Sequence, residues 1–208
     1  RARAAGIVTI VDGAHAPSQI PLNLNALGAD FYAGSCHKWL CAPKGTGFLY
    51  ARRDLHATLD PLVVSFGWQS ERPGPSLLVD YQQYQGTRDN AGYLAVPAAI
   101  DYQRGHQWDE VVRRCFSLAR ATRRRINELT GLEPISPDSP HWYSQMTAVR
   151  LPVEDAAAFG QRLYDEFHIE APVLRWNNQT LLRLSFQAYV SEDDADALLT
   201  ALRTMLRA

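Results

Sequence analysis

Apolar positions near the amino end fall into short runs rather than long periodic faces. Ile7–Val11 in "GIVTIV", Ala29–Ser35 in "ADFYAGS" and the "GTGFLYA" stretch at 45–51 each read as a buried strand. Between the first two, "PLNLNALGA" is a brief crossover with room for one helical turn. Short buried strands joined by crossovers predict an α/β sheet with parallel pairs. Residues 73–84 read as loop, "YQGTRDNAGY" as a turn-rich passage and "AVPAAIDYQRGH" as a helix. In "WDEVVRRCFSLARATRRRINEL", Val111, Val112, Phe116, Ala119 and Ile126 recur at helical spacing, and Gly131 marks that helix's end.

After "EPISPDSPHW", with its three prolines, the pattern changes. "SQMTAVRLPV" predicts a strand, "EDAAAFGQRLYDEF" a helix, "TLLRLSFQAY" a strand and "SEDDADALLTALRTML" a helix opened by Ser191 and a run of acids. The division predicted is residues 1–105, the carboxyl-terminal part of a large α/β domain with a mostly parallel sheet, and 106–208, a small α+β domain with its lead-in helix. Because the chain opens on a helix tail running directly into a strand, it reads as the carboxyl-terminal part of something longer.

Composition narrows the function classes. A net charge of −1 over 208 residues gives no electrostatic footprint for nucleic acid or an anionic membrane. The basic cluster Arg113, Arg114, Arg120, Arg123, Arg124 and Arg125 reads as a solvated helix face. No apolar run reaches the roughly 20 residues of a membrane span. Three cysteines, Cys36, Cys41 and Cys115, form no CxxC pair, which points to neither a disulfide framework nor a zinc site and suggests a reducing, cytoplasmic setting.

The candidate chemistry begins with lysine. The chain has two, Lys38 and Lys44, against nineteen arginines. Lys44 lies in "PKGTG", a glycine turn without the G-x-x-x-x-G-K-[ST] pattern of a phosphate loop. Lys38 follows His37 at the end of the second apolar run, where ligands collect in α/β sheets. A carbonyl-trapping lysine must be neutral part of the time, a state that burial favours. Asp12 closes the neighbouring run, and a carboxylate there suits the pyridine nitrogen of pyridoxal phosphate, which needs an anionic partner to stay protonated.

The stretch "VDGAHAPSQIPLNLNALGADFYAGSCHKWLCAPKGTGFLYARR" resembles the lysine-bearing core of the class V aminotransferase-like, fold-type-I pyridoxal-phosphate enzymes. "HKWLCAPKGTGFL" is most similar to the isopenicillin N epimerase-like branch, and the resemblance continues through "GTRDNAG" to "LLRLSFQAYVSEDDADALLTAL". It implies pyridoxal 5′-phosphate as cofactor, covalently held by Lys38, with Asp12 at the pyridine nitrogen and His15 near the phenolic oxygen. Ser35 and His37 would contact the phosphate, and Thr87 would reach the phosphate of a partner subunit in a homodimer. Arg183 would bind the α-carboxylate of an amino-acid or small-peptide substrate, a task suited to a planar guanidinium.

The reaction class is less closely defined. A cysteine desulfurase needs a thiolate on a loop before the carboxylate-binding arginine, and "APVLRWNNQTLLR" has no cysteine. Epimerisation, transamination and C–S bond cleavage all begin at the Cα proton. The epimerase-like reading comes first, and an aminotransferase or C–S lyase is the alternative. The family's phosphate-cradling loop and ring-stacking aromatic have no counterpart in these residues, so a truncated, non-catalytic fragment is the reading from another class. "PLVVSFGWQ" (61–69) is a candidate substrate loop with Trp68 as a wall.

Overall fold

The computed structural model describes residues 1–207 and divides into two compact units, Arg1–His106 and a second beginning at Gln107. In the first, a 3-10 turn at Arg3–Ala5 leads into β1 (Ile10–Asp12). The crossover contains α1 (Leu24–Leu27), one turn begun by the Asn23 side chain accepting from the Ala26 amide and ended at Gly28. Then β2 (Phe31–Ser35) runs parallel to β1, and β3 (Gly47–Ala51) returns antiparallel, giving the order β1-β2-β3.

Asp30, buried at the entrance to β2, fastens this sheet. It accepts from the Thr9 amide at 2.8 Å and hydroxyl at 3.0 Å, and from the Arg52 guanidinium beyond β3. The Thr9 amide foremost, with Arg52 adding, holds its carboxyl below the ordinary carboxylate range. The stabilisation is therefore present above that ordinary range and is lost as pH falls through the lowered value.

Two expectations for this unit need correction. The buried strand over 7–11 is a shorter strand, and its apolar side chains are open: Ile7, Val8 and Ile10 are 59%, 61% and 78% exposed. β1 is an edge strand partnered by β2, so its apolar character reflects a face that these residues leave uncovered. The loop expected over 73–84 contains α2 (Leu77–Gln82), capped by the Ser76 side chain accepting from the Val79 amide. Trp68 packs on Tyr81 of that helix with ring centroids 4.7 Å apart. α3 (Ala91–Leu94) and α4 (Val96–Gly105), with a proline in its first turn, complete the unit.

In the second unit the long α5 (Trp108–Thr130) stops at Gly131, whose φ of 67° is the left-handed closure that glycine supplies without strain. Next come β4 (Met146–Leu151), α6 (Ala156–Phe167), β5 (Val173–Trp176), β6 (Gln179–Ser185) and α7 (Glu192–Met205). The sheet is antiparallel in the order β4-β6-β5. Ser191 and Asp194 form the reciprocal capping box that the acidic opening of α7 suggests. β5 was not expected. Its signal is the Asn177–Asn178 pair, with φ of 46° and 59°, two left-handed residues that make a tight hairpin turn.

Helices α5, α6 and α7 supply the core with β4 and β6. Ile126, Leu163, Leu182, Leu199 and Leu202 are each 0% exposed. Leu182 sits on the central strand, opposite Val149 on one side and Val173 on the other. Leu182→Ala is expected to cost about 2–5 kcal/mol, from lost apolar burial plus the cavity left between two strands. Denaturant titration would show this as a lower midpoint at an unchanged slope.

The arginine cluster is not simply a solvated face. Arg123 is 2% exposed, donates to the carbonyls of Ser136 and Pro137, and lies 4.6 Å from the Tyr143 ring centroid. Arg120 and Arg124 both bond Asp138, which also accepts from the Tyr143 hydroxyl at 2.6 Å. Arg120 foremost, then Tyr143 and Arg124, drive the Asp138 carboxyl far below its ordinary range. These residues clamp the proline-rich connector onto α5, because a guanidinium offers several donors in one plane to the carbonyls that prolines leave unbonded.

Candidate active site

The site grows from the ends of β1 and β2. Paired residues on adjacent strands share a face, and faces alternate along each strand. Asp12 pairs with Ala33, so Asp12, Ala33 and Ser35 project from one side of the sheet. Ile10 and Leu49 share that side and are exposed, which makes its surface apolar around two polar groups.

The turn after β1 is held in four places. The Gly13 amide donates to the Ala33 carbonyl at 2.9 Å, and one Asp12 carboxylate oxygen accepts from the Ala14 amide at 3.0 Å. The Tyr32 hydroxyl donates to the Gly13 carbonyl at 3.1 Å, and Gln19 donates to the His15 carbonyl at 2.7 Å. A Cβ on Gly13 would overlap the Tyr32 ring, so glycine is required here by close approach rather than by backbone angle. Burial first, then the nearby Asp12 charge, push the Tyr32 phenol up and keep it a donor.

The loop after β2 is stitched just as firmly. The Cys36 amide donates to the Thr46 carbonyl, Cys41 to Lys38 and Ala42 to Cys36, all within 3.0–3.1 Å. This arrangement holds Lys38 half-buried, with its Nζ 3.1 Å from His15 Nε2. Lys44 is exposed in the following turn, beside Gly45 at φ 85°. Ser35 ends β2, and His37 Nδ1 lies 2.8 Å from the Thr46 carbonyl. A carbonyl only accepts, so Nδ1 carries the proton there.

Lys38 and His15 are thus in contact, while Asp12, Ser35 and His37 occupy the same two strand ends. Thr87 lies apart from them in sequence, exposed between α2 and α3 after Gly86 at φ 100°. Arg183 belongs to β6 of the second unit. It lines a cavity of about 530 Å³ with Ser185 and Tyr189, and its Nε is buried without a partner among the described residues. Cys41 is exposed; Cys36 and Cys115 are buried, and burial pushes all three thiols up, which disfavours a reactive thiolate.

Three residues missed by the sequence reading support this geometry. Trp39 donates its indole N–H to His15 Nδ1 at 3.2 Å, and Gln19 and Gln103 anchor the two loops. A tryptophan directly after the lysine was the readable signal. The glutamines left none, because polar residues 4 or 64 positions away become buried partners only once the sheet has formed.

An amine and a carboxylate at adjacent strand ends, with hydroxyl and imidazole groups beside them, match the needs of one cofactor class. They suit an aldehyde with a protonated ring nitrogen and an anionic phosphate, and so the donor set fits pyridoxal 5′-phosphate. Comparison with known proteins agrees. The Aminotransferase class-V family model matches residues 1–198. Isopenicillin N epimerase of Amycolatopsis lactamdurans is 41% identical over 98% of this chain and 54% of its own length. The Streptomyces clavuligerus enzyme of the same name is 38% identical over 97% of this chain and 53% of its own. The apo cysteine desulfurase of Thermococcus onnurineus NA1 superposes with a TM-score of 0.77 at 20% identity, covering 99% of this chain and 54% of that one, and so shares the fold. The chain belongs to the class V aminotransferase family, whose cofactor is pyridoxal 5′-phosphate, and spans about half the length of the curated relatives it matches. Among the described residues no helix is long and apolar enough to cross a membrane.

Proposed function

We propose that this protein acts at the α-carbon of an amino acid or an amino-acid-containing peptide, inverting its configuration as an epimerase. The observation that carries the reading is the Lys38–His15 contact beside Asp12 at the ends of β1 and β2. Identity of 41% to an isopenicillin N epimerase supports the epimerase choice within the family. The low-lying alternative of persulfide chemistry is disfavoured by Cys115 at 1% exposure inside α5 and by the absence of cysteine near Arg183.

Pyridoxal phosphate, when bound, supplies an electron-withdrawing ring that weakens bonds at the α-carbon of an attached amine. The chain's residues then have separate tasks. The Lys38 amine serves one face of Cα, removing a proton from one enantiomer or delivering one to the other, and inversion calls for a second acid/base group at the opposite face. Asp12 keeps a proton on the ring nitrogen with the carboxylate oxygen that the Ala14 amide does not occupy. Ser35 and His37 bind phosphate oxygens, and His15 presents an imidazole to the phenolic oxygen. Arg183 grips the α-carboxylate through its guanidinium fork. The assembly is a homodimer, with Thr87 reaching across to the partner's phosphate.

The test is proton exchange at Cα in deuterated water, followed by mass spectrometry and chiral analysis of amino-acid and peptide substrates. Deuterium incorporation with inversion and no keto acid is the expected result. Keto-acid release would replace the epimerase reading with transamination, and loss of a sulfur-bearing side chain would replace it with C–S cleavage. No exchange in a cofactor-loaded protein would overturn catalysis at Cα.

A further inference from the structure

We infer that Arg150 is a second anion-binding residue on the sheet face that carries Arg183, and that the substrate brings a second carboxylate to it. The inference rests on the proposed role of Arg183 in gripping the α-carboxylate. It narrows the substrate class to amino acids or peptides that bear another acid group.

Strand register puts the two side chains together. In the antiparallel β4–β6 pair Arg150 lies opposite Leu181, and Arg183 lies opposite Ala148. Facing residues, and residues two apart along a strand, share a side, so both arginines project from the same face. They are diagonal neighbours, within about 8 Å at their Cβ atoms and inside the reach of long side chains. The opposite face sends Val149, Leu182 and Leu184 into the core with α5, α6 and α7. Arg150 lies on the hairpin side of Arg183, so a contact there extends the anion site toward the Asn177–Asn178 turn.

Both guanidiniums lack what a half-buried cation needs. Among the second unit's arginines that are not exposed, Arg120 bonds Asp138 and Arg123 bonds the connector carbonyls. Arg150 and Arg183 are the others, and each has a buried Nε with no hydrogen-bond partner among the described residues. The strand residues that share their face include no acid. A guanidinium only donates, so acceptors for these groups have to come from a ligand. Like charges at this spacing repel, and an anion at each fork reverses the sign of that interaction. A carboxylate taken bidentately by Arg183 fills its fork, which leaves Arg150 to a second acid group. Gln179 Oε1, on the same face, is also buried without a donor, so the face suits a polar ligand rather than an apolar one.

The experiment is calorimetric titration of the protein without cofactor, using glutarate, adipate and butyrate at low salt. Glutarate or adipate is expected to bind about tenfold or more tightly than butyrate, the worth of one added charge-assisted contact. Arg150→Gln is expected to bring that ratio close to one. Equal affinities for the three acids in the wild type, or a ratio unchanged in Arg150→Gln, would overturn the inference. The comparison of acids is made on the wild type, so a misfolded variant leaves a decision available. Cofactor-loaded protein is then followed by Cα proton exchange in deuterated water with L-glutamate and L-norvaline. The KM for L-glutamate is expected to be lower by about tenfold or more, with Arg150→Gln removing the difference. Acid selectivity in the calorimeter without exchange of either amino acid would remove the proposed function and leave Arg150 as an anion-binding residue. Exchange with equal KM values and no acid selectivity would overturn this inference and leave the proposed function in place.

Discussion

Lys38→Ala is expected to abolish both the covalent cofactor adduct and turnover, the latter by about 10³-fold or more, since it removes the amine proposed to move the Cα proton. Wild-type protein incubated with pyridoxal phosphate should develop the visible absorbance of a lysine–aldehyde adduct, and borohydride should fix the label on the peptide containing Lys38. Lys44→Ala should leave both signals in place, because Lys44 is exposed in the glycine turn that carries the chain into β3. The geometry is the reason for the difference. Lys38 is held by a loop with three internal backbone bonds and its amine meets His15, whereas nothing aims the Lys44 amine at the strand ends. A label recovered on Lys44, or turnover surviving in Lys38→Ala, would sink the assignment.

Asp12→Asn is expected to lower turnover by about 10²–10³-fold while leaving the adduct on Lys38 intact. The substitution preserves size and the turn: the side-chain oxygen can still accept from the Ala14 amide, as Asp12 does at 3.0 Å. What it removes is the negative charge proposed to hold a proton on the cofactor's ring nitrogen. The loss should therefore appear mainly in kcat, with cofactor affinity changed much less. Equal losses in turnover and cofactor binding would instead mark Asp12 as a fold residue. An unchanged kcat would remove it from the chemistry.

Much of this architecture was readable in advance because its signals are local. The single turn of α1 between Asn23 and Gly28, the end of α5 at Gly131 and the capping box at Ser191 are each encoded within a few residues. The errors arise where the deciding interaction is distant. Helix α2 hides in a segment with weak helical pattern, and its packing depends on the Trp68–Tyr81 contact. Arg123 reads as one more surface charge until the connector folds back to offer the carbonyls of Ser136 and Pro137. The exposed apolar β1 shows the opposite failure, since hydrophobicity marks a face meant for burial without naming what covers it. At the site, residue types and the strand-end positions of Asp12, Ser35 and Lys38 were legible. The contact between the Trp39 indole and His15 was not, because residues that are 24 positions apart become partners only in three dimensions.

The buried guanidinium of Arg123 has a consequence for labelling chemistry. One planar cation there serves two carbonyls and an aromatic face, a combination that a lysine ammonium on its flexible stem could not reproduce. Where structural cations must be arginines, primary amines become rare, and side-chain amines in this chain occur only at two positions seven residues long from end to end. Within these 208 residues an aldehyde meets one other lysine side chain besides Lys38. Its selectivity for one lysine begins with the scarcity of the others.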